Sequence, residues 1–125
     1  MRGSLIETDL IARCRAEEDT LTEVRCVLRN HLLRSGLDDI DVPRQLQSAR
    51  LVRDPKSGTT SLVGEWRRQR GVIGTVVIHE NGELFAELGV RRPSPDDPQR
   101  RVDSVVAFGN AGALRTELRM TPAKS

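Results

Sequence analysis

The two histidines and two cysteines of this 125-residue chain are its natural candidates for acid/base, nucleophilic or metal chemistry, and their spacing assigns them to none of it. Neither His31 nor His79 has a Cys or carboxylate at metal-ligand spacing. His79 abuts a turn beside Glu80, the setting of a half-exposed strand end rather than of a general base. His31 falls in the last turns of a helix, where a cap or interface role is expected. Cys14 and Cys26 sit on that same helix, where buried thiols are common, with no activating histidine beside them. Twelve residues apart, they are separated by ~18 Å of helix axis and cannot pair within it. No glycine-rich phosphate loop is present. The sequence therefore names no catalytic residue, no cofactor and no metal.

Carboxylates and arginines carry the remaining chemistry. Glu65, Glu87 and Glu117 each fall inside a strand, with Asp103 near the start of another. Facing one cleft, such groups would have their pKa values driven apart for acid/base work; paired with Arg115, Arg119 or water, they are ordinary strand surface. Of the 20 basic side chains 18 are Arg, which suits bidentate recognition of carboxylate or phosphate and equally suits a GC-rich coding bias. The net charge of +2 is too small to imply a polyanion partner, but residues 1–45 carry 7 basic and 9 acidic side chains against 13 and 9 in residues 46–125. In a simple meander alternate connections fall at one end of the sheet. That end would collect Arg67, Arg68, Arg70, Arg91, Arg92, Arg100 and Arg101, partly offset by Asp96 and Asp97. Such a cluster would bind a phosphate-bearing ligand or an acidic protein segment, or would serve as a charged rim that blocks edge pairing. Nucleic acid is disfavoured, because the chain has no Tyr and its three aromatic residues, Trp66, Phe85 and Phe108, are needed for the core.

The elements that must position these groups are legible as one domain, since 125 residues with 37% hydrophobic and 30% charged side chains suit a single, mainly aliphatic core. Leu10, Cys14, Leu21, Val24, Leu28 and Leu32 recur at helical spacing and predict a long amphipathic helix over residues 5–35. Ser4 with Glu7 and Thr20 with Glu23 have capping-box spacing; the second would break the helix near Asp19, although the apolar stripe keeps its phase there. Gly36 can take the left-handed conformation that ends a helix. An acidic connector over residues 37–46 follows, containing Asp38, Asp39 and Asp41. Period-two runs then predict strands near 47–54, 60–67, 72–79, 83–91, 101–108 and 112–119, with a tail over 121–125. The fold class is α+β: a long N-terminal helix packed on an antiparallel β-meander of five to six strands.

The Asn81-Gly82 pair predicts a two-residue type I′ loop, with Ile78 opposite Phe85 and Val76 opposite Glu87. Both faces of the 72–91 hairpin then read as apolar, with Ile73, Val77, Leu84 and Leu88 on one and Val76, Ile78 and Phe85 on the other. One helix covers one face, so a second copy packed sheet against sheet is expected on the other, making a homodimer; a sheet curled around the helix is the alternative.

Gly64-Glu65-Trp66 is similar to the Gly-x-Trp of lipocalin-like barrels, whose eight strands exceed the six read here. A long helix followed by a meander also resembles cystatin-like helix-plus-curved-sheet architectures, which host inhibitors, chaperones and small enzymes and so imply a shape without a function. Unpaired thiols, no secretory h-region and no apolar run near 18 residues lead to the expectation of a cytoplasmic protein with no membrane span. The leading expectation is a non-enzymatic binding or interaction module, homodimeric, with an anion-binding arginine end. The other is a small enzyme or ligand carrier with an apolar pocket between helix and sheet, using Glu65, Glu87 or Glu117 as its polar group.

Overall fold

The computed structural model describes residues 18–69 and 71–122. Helix α1 (Glu18–Arg34) precedes six strands, β1 (Ser48–Arg53), β2 (Thr60–Arg68), β3 (Gly71–His79), β4 (Glu83–Pro93), β5 (Arg100–Asn110) and β6 (Ala113–Pro122), which form one antiparallel sheet in sequence order. The α+β meander expected from the periodicity is the fold observed. Residues 121 and 122, expected in a tail, belong to β6. Leu10, Cys14 and the Ser4–Glu7 pair lie outside the described residues.

Helix α1 buries Leu21, Val24, Leu28 and Leu32, one residue per turn on a single face. The expected course over residues 5–17, on which a break near Asp19 depends, lies outside the described residues, and Asp19 is the second residue of this helix. Its C-terminus is a Schellman motif: the Leu37 N–H donates to Leu32 C=O (2.9 Å), the Gly36 N–H to Leu33 C=O (3.1 Å), and Gly36 takes φ +79°. The hydrophobic contact typical of that motif joins Leu32 and Leu37, both buried. Thr20 and Glu23 do not form a capping box. Thr20 is inside the helix, and both Glu23 carboxylate oxygens accept the Gly112 N–H at 2.8 Å, tying α1 to the β5–β6 turn. Accordingly, α1 packs against β5 and β6.

The acidic connector is part of the core. Leu37 and Val42 are buried, and Ile40 and Leu46 pack beside them, so this segment covers the half of the sheet that α1 does not reach. Its polar groups hold it there. Arg25 donates from Nε (3.0 Å) and Nη2 (2.7 Å) to Val42 C=O, and Arg29 makes a two-bonded pair with Asp39 (2.8 and 2.5 Å). Arg29 holds the Asp39 carboxyl below its usual range by that hydrogen bond, and its own pKa is raised in return.

The β3–β4 register differs from the expected one by one residue. Ile78 pairs with Leu84, Val77 with Phe85 and Val76 with Ala86, because the loop has three residues, Glu80-Asn81-Gly82. The Gly82 N–H donates to His79 C=O (2.9 Å) and Gly82 takes φ +95°, the geometry of a type I turn closed by a glycine bulge. A one-residue shift changes which side chains share a face. The core face now carries Val76, Ile78, Leu84, Ala86 and Leu88; Val77, Phe85 and Glu87 point the other way. The outer face is therefore mixed rather than apolar.

Trp66 is fully buried, and Gly74 directly opposite it on β3 makes room for its ring. A Cβ at Gly74 would stand 2.8 Å from the Glu87 backbone oxygen and 2.9 Å from Trp66 Cε3. At Gly64 the obstacle is the flexible end of the Leu46 side chain. Gly74→Ala is expected to destabilise by about 2–3 kcal/mol and Gly64→Ala by less than ~1.5 kcal/mol, measured by urea unfolding with Trp66 fluorescence as the probe.

His31 sits on α1 with Nδ1 2.9 Å from Thr116 Oγ1. Burial first, and the Arg34 charge second, lower its pKa. The unfolded chain therefore takes up the proton at higher pH than the folded one. Stability should be complete above the ordinary histidine value and fall as pH drops below it. Comparing urea midpoints at pH 7.5 and 5.5 should show this loss in the native protein and a smaller one in His31→Gln.

Candidate functional site

Three irregularities in the sheet lie at one end. The β2–β3 register shifts between Trp66 and Arg67, the β4–β5 register between Gly89 and Arg92, and the β5–β6 register between Val102 and Ser104. Val90 and Arg91 together oppose Asp103, and Asp103 is itself the extra residue against β6. Each bulge leaves one residue out of the ladder and turns its strand. Side chains are thereby re-aimed along a line across the sheet at the end where the β2–β3 and β4–β5 connections fall.

Two open depressions follow this line. One, of about 430 Å³, is lined by Val72–Thr75, Glu87, Gly89, Arg91, Asp103 and Ser104. The other, of about 530 Å³, is lined by Arg91, Pro93, Pro98, Arg100, Arg101, Asp103, Thr121 and Pro122. Arg91 and Asp103 line both, so the two depressions adjoin there, and the second is the candidate groove. Arg91 takes φ +53°, the sole non-glycine residue with positive φ among the described residues. A side chain in that region costs about 1–2 kcal/mol, and strain of this kind concentrates at functional sites.

The floor next to Arg91 is ordered by polar contacts. Ser104 Oγ donates to Glu87 Oε2 at 2.6 Å, and Arg119 Nη1 reaches the same oxygen at 3.4 Å. The Arg119 guanidinium also lies 5.3 Å from the Phe85 ring centroid. Beyond Arg91 the wall is shaped by Pro93 and by a turn in which the Arg100 N–H donates to Asp97 C=O (3.0 Å), the Ser94 N–H to Arg100 C=O (3.1 Å) and the Gln99 N–H to the Asp97 carboxylate (2.9 Å). This turn fixes Asp97, one of the two acidic residues expected to offset the arginines, beside Arg100.

The expected arginine cluster is brought together in part. Arg91, Arg100 and Arg101 line the groove; Arg101 has Asp103 at 3.9 Å, while Arg91, Arg92 and Arg100 form no ion pair among the described residues, although Asp103 lies opposite Arg91 across the bulge and Asp97 is in the turn with Arg100. Arg67 is 3.7 Å from Glu65. Arg68 donates to Asp41 C=O and lies 3.5 Å from its carboxylate, so it fastens the connector to β2. Arg70 lies outside the described residues. Glu65, Glu87 and Glu117 share one row of the sheet, in the order Glu65, Thr75, Glu87, Val106, Glu117. That row is on the face opposite α1, away from the helix–sheet interface where a carboxylate pocket was expected.

Ser104 and the prolines of the groove escaped the sequence reading. A signal existed: Val102 and Val105 are three apart, which breaks the two-residue period and marks a bulge. Among the described residues no group of three or more His, Cys, Asp and Glu side chains could hold a metal ion, and no helix is long and apolar enough to cross a membrane. Comparisons with protein-family models, curated proteins and solved structures give no match. Function must then be argued from the groove itself.

Because Arg91 is strained, Arg91→Gly should leave global stability unchanged or raise it by up to about 1 kcal/mol, strain relief outweighing the greater freedom of glycine in the unfolded chain. Chemical denaturation measures this, and a loss above ~1 kcal/mol would show instead that the guanidinium supports the fold.

Proposed function

We propose that this chain is a binding module without catalytic chemistry of its own, whose working surface is the groove along the bulge line and whose ligand is an acidic peptide segment of another protein. The observation that carries this reading is the pairing of two arginines that form no ion pair among the described residues, Arg91 and Arg100, with proline walls at Pro93, Pro98 and Pro122 in one open groove that also holds Asp103. Guanidinium forks take carboxylates bidentately, and proline surface takes the aliphatic parts of an extended segment. A free phosphate would use only the charges. The groove is far larger than one phosphate, and its arginines are spread along it. A reducing, cytoplasmic setting fits the exposed, unpaired thiol of Cys26.

The test is fluorescence anisotropy with a labelled ten-residue peptide of alternating Glu and Leu. Binding in the micromolar range should weaken at least about tenfold in Arg91→Gln/Arg100→Gln and weaken with added salt. Inorganic phosphate at millimolar concentration should compete poorly. Efficient competition by phosphate would assign the site to a phosphate-bearing ligand, and unchanged peptide binding in the double variant would remove the groove as the site.

A further inference from the structure

Strand β6 is the last strand of the sheet among the described residues: β5 pairs with one of its edges, and no described strand pairs with the other. Native sheets blunt such edges with bulges, prolines, charged side chains or short length, and of these β6 has the charges alone, at Arg115, Glu117 and Arg119. Strand β6 is ten residues long with no proline before Pro122, and the irregularity in its pairing belongs to Asp103 of β5. Helix α1 overhangs this open edge. Val27, Leu33, Leu114 and Thr116, with Asn30 and Arg34, line an open groove of about 400 Å³ between helix and edge, and Leu33 is 52% exposed. A further strand laid along β6 would point its core-side residues into that groove.

The charges on the outer side of β6 say which strand fits. Arg119 is engaged by Glu87 and the Phe85 ring, whereas Arg115 and Glu117 have no ion-pair or hydrogen-bond partner among the described residues. In an antiparallel two-fold pairing of β6 with itself, directly opposite residues share a face. Centred on Thr116, this pairing sets Arg115 opposite the partner's Glu117, twice by symmetry. On the core side it sets Leu114 opposite the partner's Leu118, beside Val27 and Leu33. A register centred on Glu117 would instead set like charges together. We propose that two copies of this chain associate edge to edge through β6 in the register centred on Thr116, forming one continuous sheet with both helices on the same face. The two-fold contact expected from the sequence moves from the sheet face, which is mixed in charge, to the sheet edge.

Sedimentation equilibrium on the full chain and on Arg115→Glu and Glu117→Arg tests this, with thermal unfolding of each protein showing that it is folded. The native chain should be a dimer at micromolar concentration. Each single variant places like charges opposite one another at both symmetric positions and should dissociate at least about tenfold more readily. An equimolar mixture of the two variants is complementary at both positions and should recover the dimer, as should the double variant Arg115→Glu/Glu117→Arg. A native monomer up to about 100 µM, or a dimer indifferent to both substitutions, would overturn the proposal. Failure of the mixture to reassociate while both variants are folded would overturn the register.

Discussion

The guanidinium of Arg25 on the Val42 carbonyl is the contact from which the rest of this architecture follows. Six strands spaced by ~4.8 Å make a sheet roughly 24 Å wide, whereas a helix with its side chains is only ~10 Å across. One helix can therefore shield two strands, and α1 shields β5 and β6. The other half of the core face needs apolar cover from the chain that leads to β1, a chain with no regular structure over residues 37–47. Leu37, Ile40, Val42 and Leu46 supply the cover. Irregular backbone in such a position carries polar groups that must be satisfied, and arginine does this twice: Arg25 takes the Val42 carbonyl from the helix side, and Arg68 takes the Asp41 carbonyl from the β2 side.

That use of arginine changes the meaning of the Arg-rich composition. Arg25, Arg29, Arg68 and Arg119 each have a definite structural partner: a carbonyl, Asp39, Asp41 or Glu87 with Phe85. They pin polar or acidic segments against the sheet, which a compact ammonium does less well than a planar fork. Exposed pairs of this kind add little energy individually; their value is geometric, fixing where the connector lies. Among the guanidiniums that form no ion pair, Arg91, Arg92 and Arg100 are distinguished by falling together at the bulged end of the sheet. They stand where the sheet is bulged and where a proline-rich turn, held by Asp97, shapes the wall.

The fold was legible because its signals are local. The apolar stripe from Leu21 to Leu32, the left-handed glycine at position 36 and the alternating runs of the strands each require only a few neighbouring residues, and strand order follows when every connection is short. What escaped the sequence depends on a single-residue count or on distant partners. Asn81-Gly82 fits a two-residue and a three-residue hairpin alike, and choosing the wrong one moved Val76 and Ile78 off the core face and gave the sheet a false second apolar side. The connector was read from its aspartates, although its four aliphatic residues at irregular spacing are the ones that matter. At the site, the meander argument found the arginine end, and three of its arginines do line one groove. It could not foresee that Arg67 and Arg68 have other partners, nor that the carboxylate row of Glu65, Glu87 and Glu117 faces away from the helix.

A consistent sequence agrees with its fold at every level, and departures from that agreement concentrate where something other than folding is served. Two departures stand out among the described residues. Arg91 holds a conformation that costs a side chain free energy, in the middle of a bulge that a regular ladder would not need. Strand β6 keeps a long edge without bulge or interior proline beneath a helix whose Leu33 faces water. Neither improves the monomer. The strained residue lies within the bulge and lines the groove, so the strain and the groove fall at one place. Shortening or bulging β6 would remove the hazard of an open edge, yet the edge has kept its length and its alternation of Leu114, Thr116 and Leu118 with Arg115, Glu117 and Arg119. That alternation is complementary to itself when reversed about Thr116. A charge order that repels a copy in one register and attracts it in another narrows the choice of register, and the engagement of Arg119 by Glu87 favours the one centred on Thr116 over one centred on Leu118.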